Sequence, residues 1–427
     1  MNLNLYGHNG QWLMVDCGVS FNEPLVKGDL TTSEIVCADP EFIASQKQRL
    51  AGIVITHAHE DHIGAVPFLW RRFNAPIYTT PFTAEILRRK LAQVGLLGEV
   101  TIHEVPLEGE AHIGEFHVSW LTLTHSIPEP CALFIRTNAG NVFHTGDWKI
   151  DFTPVIGDRF KTQLLERFGS YPIHAVVCDS TNALREGHSG SEQDCYHGLL
   201  ETIRGEKGRV VVGCFSSNIA RLVSLARIAK ETGRYCALMG RSLQNMVAAA
   251  KVSGYWPDDV DVIDSRHIGF LPANEVLAVA TGSQGEPKAM LTRLALDNCY
   301  DLTLEENDLV LFSAMIIPGN EKEIQRLVDR FHARGIRTLQ THDTEQVIHV
   351  SGHPYQDELR NMYQWLQPKL AIPTHGEAEH MRMNASIAKD SGVPRSLTGL
   401  NGDLFQISPQ PGLRRKAVKA RRIALER

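Results

Sequence analysis

Short apolar runs, each closing on a polar residue, set the pattern of the first part of the chain. WLMVDCG (Trp12–Gly18) predicts a strand ending in Asp and Gly, and GIVIT (Gly52–Thr56) predicts a buried strand. The second runs straight into HAHEDHIGAVPFLW, where a helix is predicted to begin. Strand, histidine-rich turn and helix follow one another there. Further strands are predicted at Phe116–Thr124, Ala132–Thr137, Asn141–His144 and Ala175–Cys178, and His125, Asp147 and Asp179 follow three of them. Polar residues leaving strand ends converge on one edge of a sheet sandwich.

After Asn182 the period changes to strand, turn and helix. RVVVGCFSSNIARLVSLARIAKETGR reads as a strand, a small-residue turn and an amphipathic helix ending near Gly233, with Ser216 or Ser217 as the predicted N-cap. The same order recurs in YCALMGRSLQNMVAAAKVSG, EVLAVATGSQGEPKAMLTRLAL and DLVLFSAMIIPGNEKEIQRLVDRFHARG. Such alternation predicts a parallel sheet flanked by helices, with ligands favoured where strand ends meet helix starts. The turns hold Ser217, Asn218, Arg241, Ser242, Ser283 and Gln284, and free backbone N–H groups in turns of this kind suit phosphate. Strands closing on polar residues return in VIHVSGHP (Val347–Pro354) and LAIPTHGE (Leu370–Glu377), so the first domain is predicted to be interrupted and resumed.

With 427 residues the chain has room for two or three domains at roughly 100 to 200 residues each. Its 43% hydrophobic and 22% charged residues exclude a collagen, a coiled coil and a disordered tail. No run approaches the ~20 apolar residues that span a bilayer, and Met1–Asn9 has no basic-then-apolar leader, so a cytoplasmic protein without a membrane partner is expected. Eight cysteines without a C-x-x-C pair predict free thiols rather than a zinc ribbon. Net charge is −6, yet Leu413–Arg427 holds seven Lys/Arg against one Glu, which leaves −12 on the remainder. That acidic body argues against nonspecific coating of duplex DNA; the tail reads as a solvated segment or a nucleic-acid contact.

Among 19 histidines, His57, His59 and His62 fall with Asp61 within six residues, and His125, Asp147 and His375 stand at later strand ends. Imidazole nitrogen and carboxylate oxygen suit zinc and related divalent ions, and a site without thiolates points to catalysis rather than structure. Alternate residues His57 and His59 can face one ion while Asp61 and His62 face another.

THAHEDHIG resembles the H-x-H-x-D-H signature of the metallo-β-lactamase superfamily, and VDCG, THSIPE and HTGDWKID are similar to its other metal motifs in order. CDSTNA, HVSGH and PTHGE resemble the β-CASP nucleases, and GCFSSNIAR, TGSQGEP and IPGNE resemble the ribonuclease J branch in particular. The resemblance implies an α/β fold: a metallo-β-lactamase αββα sandwich (1–182 and 346–412) interrupted by a β-CASP domain with a parallel sheet flanked by helices (183–345), then a basic tail (413–427). It implies that His57, His59 and His125 hold one divalent metal ion, that Asp61, His62 and His375 hold the other, and that Asp147 bridges both. Zinc is the expected ion, with manganese the alternative. Asp16 would orient ligands from behind, Asp179 and His353 would form the proton-transfer pair, and His349 and Ser351 would bind the scissile phosphate. Together these imply two-metal hydrolysis of RNA, 5′-to-3′ from a 5′-monophosphate with some endonuclease activity.

Two departures from the family pattern bear on assembly. Members carry a glycine-rich strand before the stretch matching MNLNLY and a separate C-terminal domain after the one matching LNGDLFQISP; the expectation here is a late start or a missing edge strand, and a homo-oligomer lacking that domain's contacts. A DNA-processing β-CASP nuclease and a noncatalytic RNA-binding subunit are the rival readings. The first is separated by substrate, since no motif reads a 2′-hydroxyl; the second is disfavoured because all seven ligand residues are present.

Overall fold

In a computed structural model, which describes residues 1–25, 32–317 and 319–425, two sheets pack face to face. One runs Asn4–His8, Gln11–Val15, Leu50–Val54, Ile77–Thr79, Ile102–Glu104 from edge to edge. The other runs Arg395–Ser396, Leu370–Thr374, Ala175–Asp179, Gly140–His144, Cys131–Thr137, Phe116–Thr122, Glu110–Ile113. Residues alternate between the faces of each strand, so Leu13, Val15 and Val54 meet Trp120, Leu133, Ile135 and Val177 in a buried layer between the sheets. The opposite faces are covered by helices: Val66–Phe73 and Pro81–Gln93 on the first sheet, Thr162–Gly169, Gln356–Leu366 and Ala378–Asp390 on the second. The result is an αββα sandwich. Ala175–Asp179 and Leu370–Thr374 are parallel neighbours, Asp179 beside Thr374, although a whole domain separates them in sequence.

That intervening domain is a five-stranded, all-parallel sheet in the order Tyr235–Met239, Val276–Ala280, Val210–Gly213, Leu309–Phe312, Arg337–Leu339. Its strands are buried on both sides and are therefore continuously apolar, as in VVVG and VLAVA. Helices Glu192–Arg204, Ile219–Glu231 and Arg241–Val252 cover one face, and Met290–Ala295 and Glu321–His332 the other. The α/β class and the parallel inserted sheet are those the patterning predicts. No helix among the described residues is long and apolar enough to cross a membrane.

Several local expectations are corrected. HEDHIGAVPFLW forms two helices, Glu60–Ile63 and Val66–Phe73, because Ala65 N–H bonds Cys17 O and breaks the run. Helix Ile219–Glu231 is capped by Asn218, whose side chain accepts Arg221 N–H, not by Ser216 or Ser217. The turn Gly282–Gln284 does not open a helix, since the next one starts only at Met290. Val347–Val350 is not a strand; the Ile348 carbonyl is bound by side chains instead. The basic tail is not free. Gly412–Arg414 pairs with Leu404–Gln406, Arg422–Ala424 adds an edge to Thr32–Ala38, and Arg415, Arg421 and Arg422 pair with Asp403, Asp39 and Glu23.

Where the inserted domain begins, Glu192 and Arg221 form a wholly buried fork, Nε to Oε2 at 3.0 Å and Nη2 to Oε1 at 3.1 Å. Burial alone would raise the Glu192 carboxyl, but Arg221 outweighs it and holds the pKa down to about 2, from 4.5. A carboxylate depressed in the fold contributes stability that is present above the unfolded value and lost as pH falls through the folded one. Glu192→Gln strands a buried guanidinium and should cost about 3–5 kcal/mol near neutral pH. In urea titrations the gap between the two proteins should narrow from pH 4.5 down to 2; a constant gap would show the pair is not what titrates.

Candidate metal centre

The site is assembled at the rim where both sandwich sheets end. Beyond Leu50–Val54 the chain leaves the sheet and bends at Ala58 between His57 and His59; His59 (ψ 150°) then starts the turn Glu60–Ile63, which presents Asp61 and His62. Gly18 makes room for that turn, because a Cβ there would lie 1.7 Å from Asp61 O. His125, Asp147 and His375 arrive from strands of the second sheet. His375 has φ 52°, the left-handed region that few non-glycine residues enter, which turns its ring back across the rim.

Two four-donor groups result. In one, the donor atoms of His57, His59, His125 and Asp147 lie within 4.8 Å of one another; in the other, those of Asp61, His62, Asp147 and His375 do. His59 Nδ1 is 3.0 Å from His57 Nε2 and 3.2 Å from His125 Nε2. Tetrahedral arms of 2.0–2.1 Å place ligand nitrogens about 3.3 Å apart, so these spacings fit a zinc-sized ion. In the second group His62 Nε2 lies 3.3 Å from Asp61 Oδ2 and 3.2 Å from Asp147 Oδ2, and His375 Nε2 lies 3.1 Å from Asp61 Oδ2. Asp147 belongs to both groups, and its oxygens come within 4 Å of His57, His62, His125 and His375.

Protonation follows from this placement. Burial and neighbouring imidazoles hold His57 and His125 well below the ordinary value, and burial brings His59 to about 4, so all three are neutral donors. For His62 and His375 burial acts downward too, but Asp147 and the other carboxylates around them prevail and hold both well above it. A cation entering the second group therefore displaces protons. Behind the donors, Asp16 accepts Thr56 N–H at 2.8 Å and lies 2.7 Å from His62 Nδ1, which turns Nε2 toward the site.

His353 Nδ1 is 2.7 Å from Asp179 Oδ2. Burial lowers its affinity for a proton, yet Asp179 and Asp147 reverse this and raise the pKa above the ordinary imidazole value. Asp179, His353, Asp147 and His375 also form a third cluster of donors within 4.8 Å, so the expected proton-transfer pair adjoins the second donor group.

The residues expected at phosphate are less unified. Asn218 is spent on its helix cap and on Glu192, and Gln284 bonds Met315 O, Ile317 N–H and Asn320. Ser283 is buried, and Ser217 is partly exposed beside the cap. Arg241 and Ser242 are exposed at the start of their helix, with no polar partner among the described residues. Ser351 Oγ accepts from Asn182 and from His353 N–H, which holds it in the loop of the acid pair. Both ring nitrogens of His349 are buried without a hydrogen-bond partner among the described residues. Sequence reasoning missed Thr56, Asn182 and Asn2, whose amide reaches Asp61 Oδ2 at 3.2 Å and His62 Nε2 at 3.0 Å; nothing near Asn2 in the chain signals that role.

Sandwich, insertion and paired His/Asp groups define a metal-dependent hydrolase of the metallo-β-lactamase class with a β-CASP domain. Family profiles agree: "Metallo-beta-lactamase superfamily" matches residues 2–176, "Ribonuclease J, beta-CASP domain" 207–331 and "Zn-dependent metallo-hydrolase RNA specificity domain" 338–394. The chain belongs to the ribonuclease J family. It is 40% identical to Ribonuclease J of Sinorhizobium meliloti over 96% of this chain and 72% of that protein. It is 35% identical to Ribonuclease J of Mycolicibacterium smegmatis over 92% and 69%. A solved structure of a protein of unknown function from Enterococcus faecalis shares the fold, with a TM-score of 0.62 at 16% identity, covering 92% of this chain and 94% of that one.

Proposed function

We propose that this metal-dependent ribonuclease works as a 5′-to-3′ exonuclease preferring a 5′-monophosphate, with some internal cleavage and zinc as its resident ion. Three imidazoles with one carboxylate in the first group support zinc over manganese, which favours oxygen donors. Ions held there supply Lewis acidity and an activated water. The observation that carries the reading is His353 Nδ1 at 2.7 Å from Asp179, on the edge of both donor groups. Asp179 orients the ring through Nδ1 and keeps the imidazole protonated, and His353 delivers the proton of its other nitrogen, Nε2, to the leaving oxygen. His349, with unpartnered nitrogens in the same loop, and Ser351 are the residues offered to phosphate. RNA as substrate is supported by the name of the relatives and by the RNA-specificity profile. Eight free, buried cysteines support a reducing, cytoplasmic compartment.

Matched strands carrying 5′-monophosphate or 5′-triphosphate, as RNA and as DNA, test this under single-turnover conditions. The monophosphate RNA should be consumed fastest, releasing mononucleotides from its 5′ end. Equal rates with internal cuts dominating would leave a simple endonuclease, and equal use of DNA would favour the DNA-processing reading.

A further inference from the structure

We infer that Ser313 and Arg221 of the inserted domain are positioning residues that align His353 for proton transfer, an assignment that rests on His353 being the proton donor. The segment Ile348–His353 has no strand neighbour to fix its course. Its anchors are bonds to side chains. Ser313 Oγ donates to Ile348 O at 2.7 Å, and Arg221 Nη1 donates to Ile348 O at 3.4 Å and to Ser313 O at 3.1 Å. Further along, Asn182 holds Ser351 Oγ at 2.7 Å, Ser351 Oγ accepts His353 N–H at 3.1 Å, and Gly352 O meets His125 Nδ1.

The upstream anchors thus belong to the inserted domain and the downstream ones to the sandwich. Ser313 follows directly on Leu309–Phe312, a strand inside the parallel sheet, and its own N–H bonds Gly213 O at 2.8 Å. Arg221 is 0% exposed and cannot swing, because Glu192 grips its guanidinium from the other side. Two rigid donors therefore fix one carbonyl five residues before the acid. A slip there moves the loop that sets His353 against Asp179, and an ångström of misplacement at a reacting group is costly. The domain expected to engage RNA is in this way bonded to the loop that delivers the proton.

The test compares two leaving groups on zinc-loaded protein: an RNA strand, whose alkoxide needs a proton, and a nitrophenyl phosphodiester, whose nitrophenolate departs without one. Ser313→Ala should slow RNA cleavage by about ten- to a hundredfold, with metal content unchanged and nitrophenyl ester hydrolysis slowed far less. Arg221→Lys should act in the same direction. His353→Ala should lose far more on RNA than on the ester, and Ser313→Ala added to it should cost little further on RNA, since both act through one proton. Full RNA activity in Ser313→Ala, or equal losses on both substrates, would overturn the assignment while His353→Ala behaves as expected. Equal losses in His353→Ala itself would overturn the acid reading and this assignment with it. A Ser313→Ala chain without a cooperative unfolding transition would show a purely structural contact and would also overturn it.

Discussion

Asp147→Ala is expected to give a folded protein that binds fewer than two ions and hydrolyses RNA at a rate near background. Asp147 is the one side chain shared by both donor groups, with oxygens 3.2 Å from His62 Nε2 and 2.8 Å from His375 Nδ1. It is 3% exposed, so water does not readily replace it. His62 and His375 lose the carboxylate that holds them protonated, both donor groups lose a shared oxygen ligand, and the cost should exceed the roughly 10²–10³-fold typical of one lost hydrogen-bond donor in an active site. Metal analysis and single-turnover cleavage check this together. Retention of two tightly bound ions, or activity within about tenfold of the parent, far short of that loss, would remove Asp147 from the centre.

His353→Ala is expected to slow RNA cleavage by about two to four orders of magnitude, the usual range for a missing general acid or base, while both ions remain bound. The contrast with Asp147 is the point of the experiment. His353 sits with Asp179 in a third donor cluster that overlaps the second metal group, and geometry alone allows it to be a ligand. Its 2.7 Å contact with Asp179 is the observation on which the proposal of a proton donor rests. Loss of one ion in the variant would reassign His353 to metal binding and leave the leaving group without its donor.

The chain itself determined the elements and the ligand types. The continuous apolar runs WLMV, VVVG and VLAVA were legible as strands because each is covered on both faces, and an unbroken apolar run is local information. The H-x-H-x-D-H cluster was equally legible, since its donors lie on one short loop and one helical turn within six residues. Tertiary structure alone decided what depends on segments far apart in sequence meeting. Val347–Val350 has strand composition, but the acceptor at Ile348 is taken by Ser313 and Arg221 of the inserted domain, so no ladder forms. The Gly/Ser/Asn turns looked alike along the chain, yet Asn218 and Gln284 spend their polar atoms internally while Arg241 and Ser242 face solvent. Asn2 reaches Asp61 and His62 only because Gly18 lets the chain start lie against that turn, and the basic tail finds Asp39 and Glu23 only once Arg422–Ala424 joins the sheet edge. Apolar periodicity is written in neighbouring residues; the pairing of polar atoms is settled by which distant groups packing brings within 3 Å.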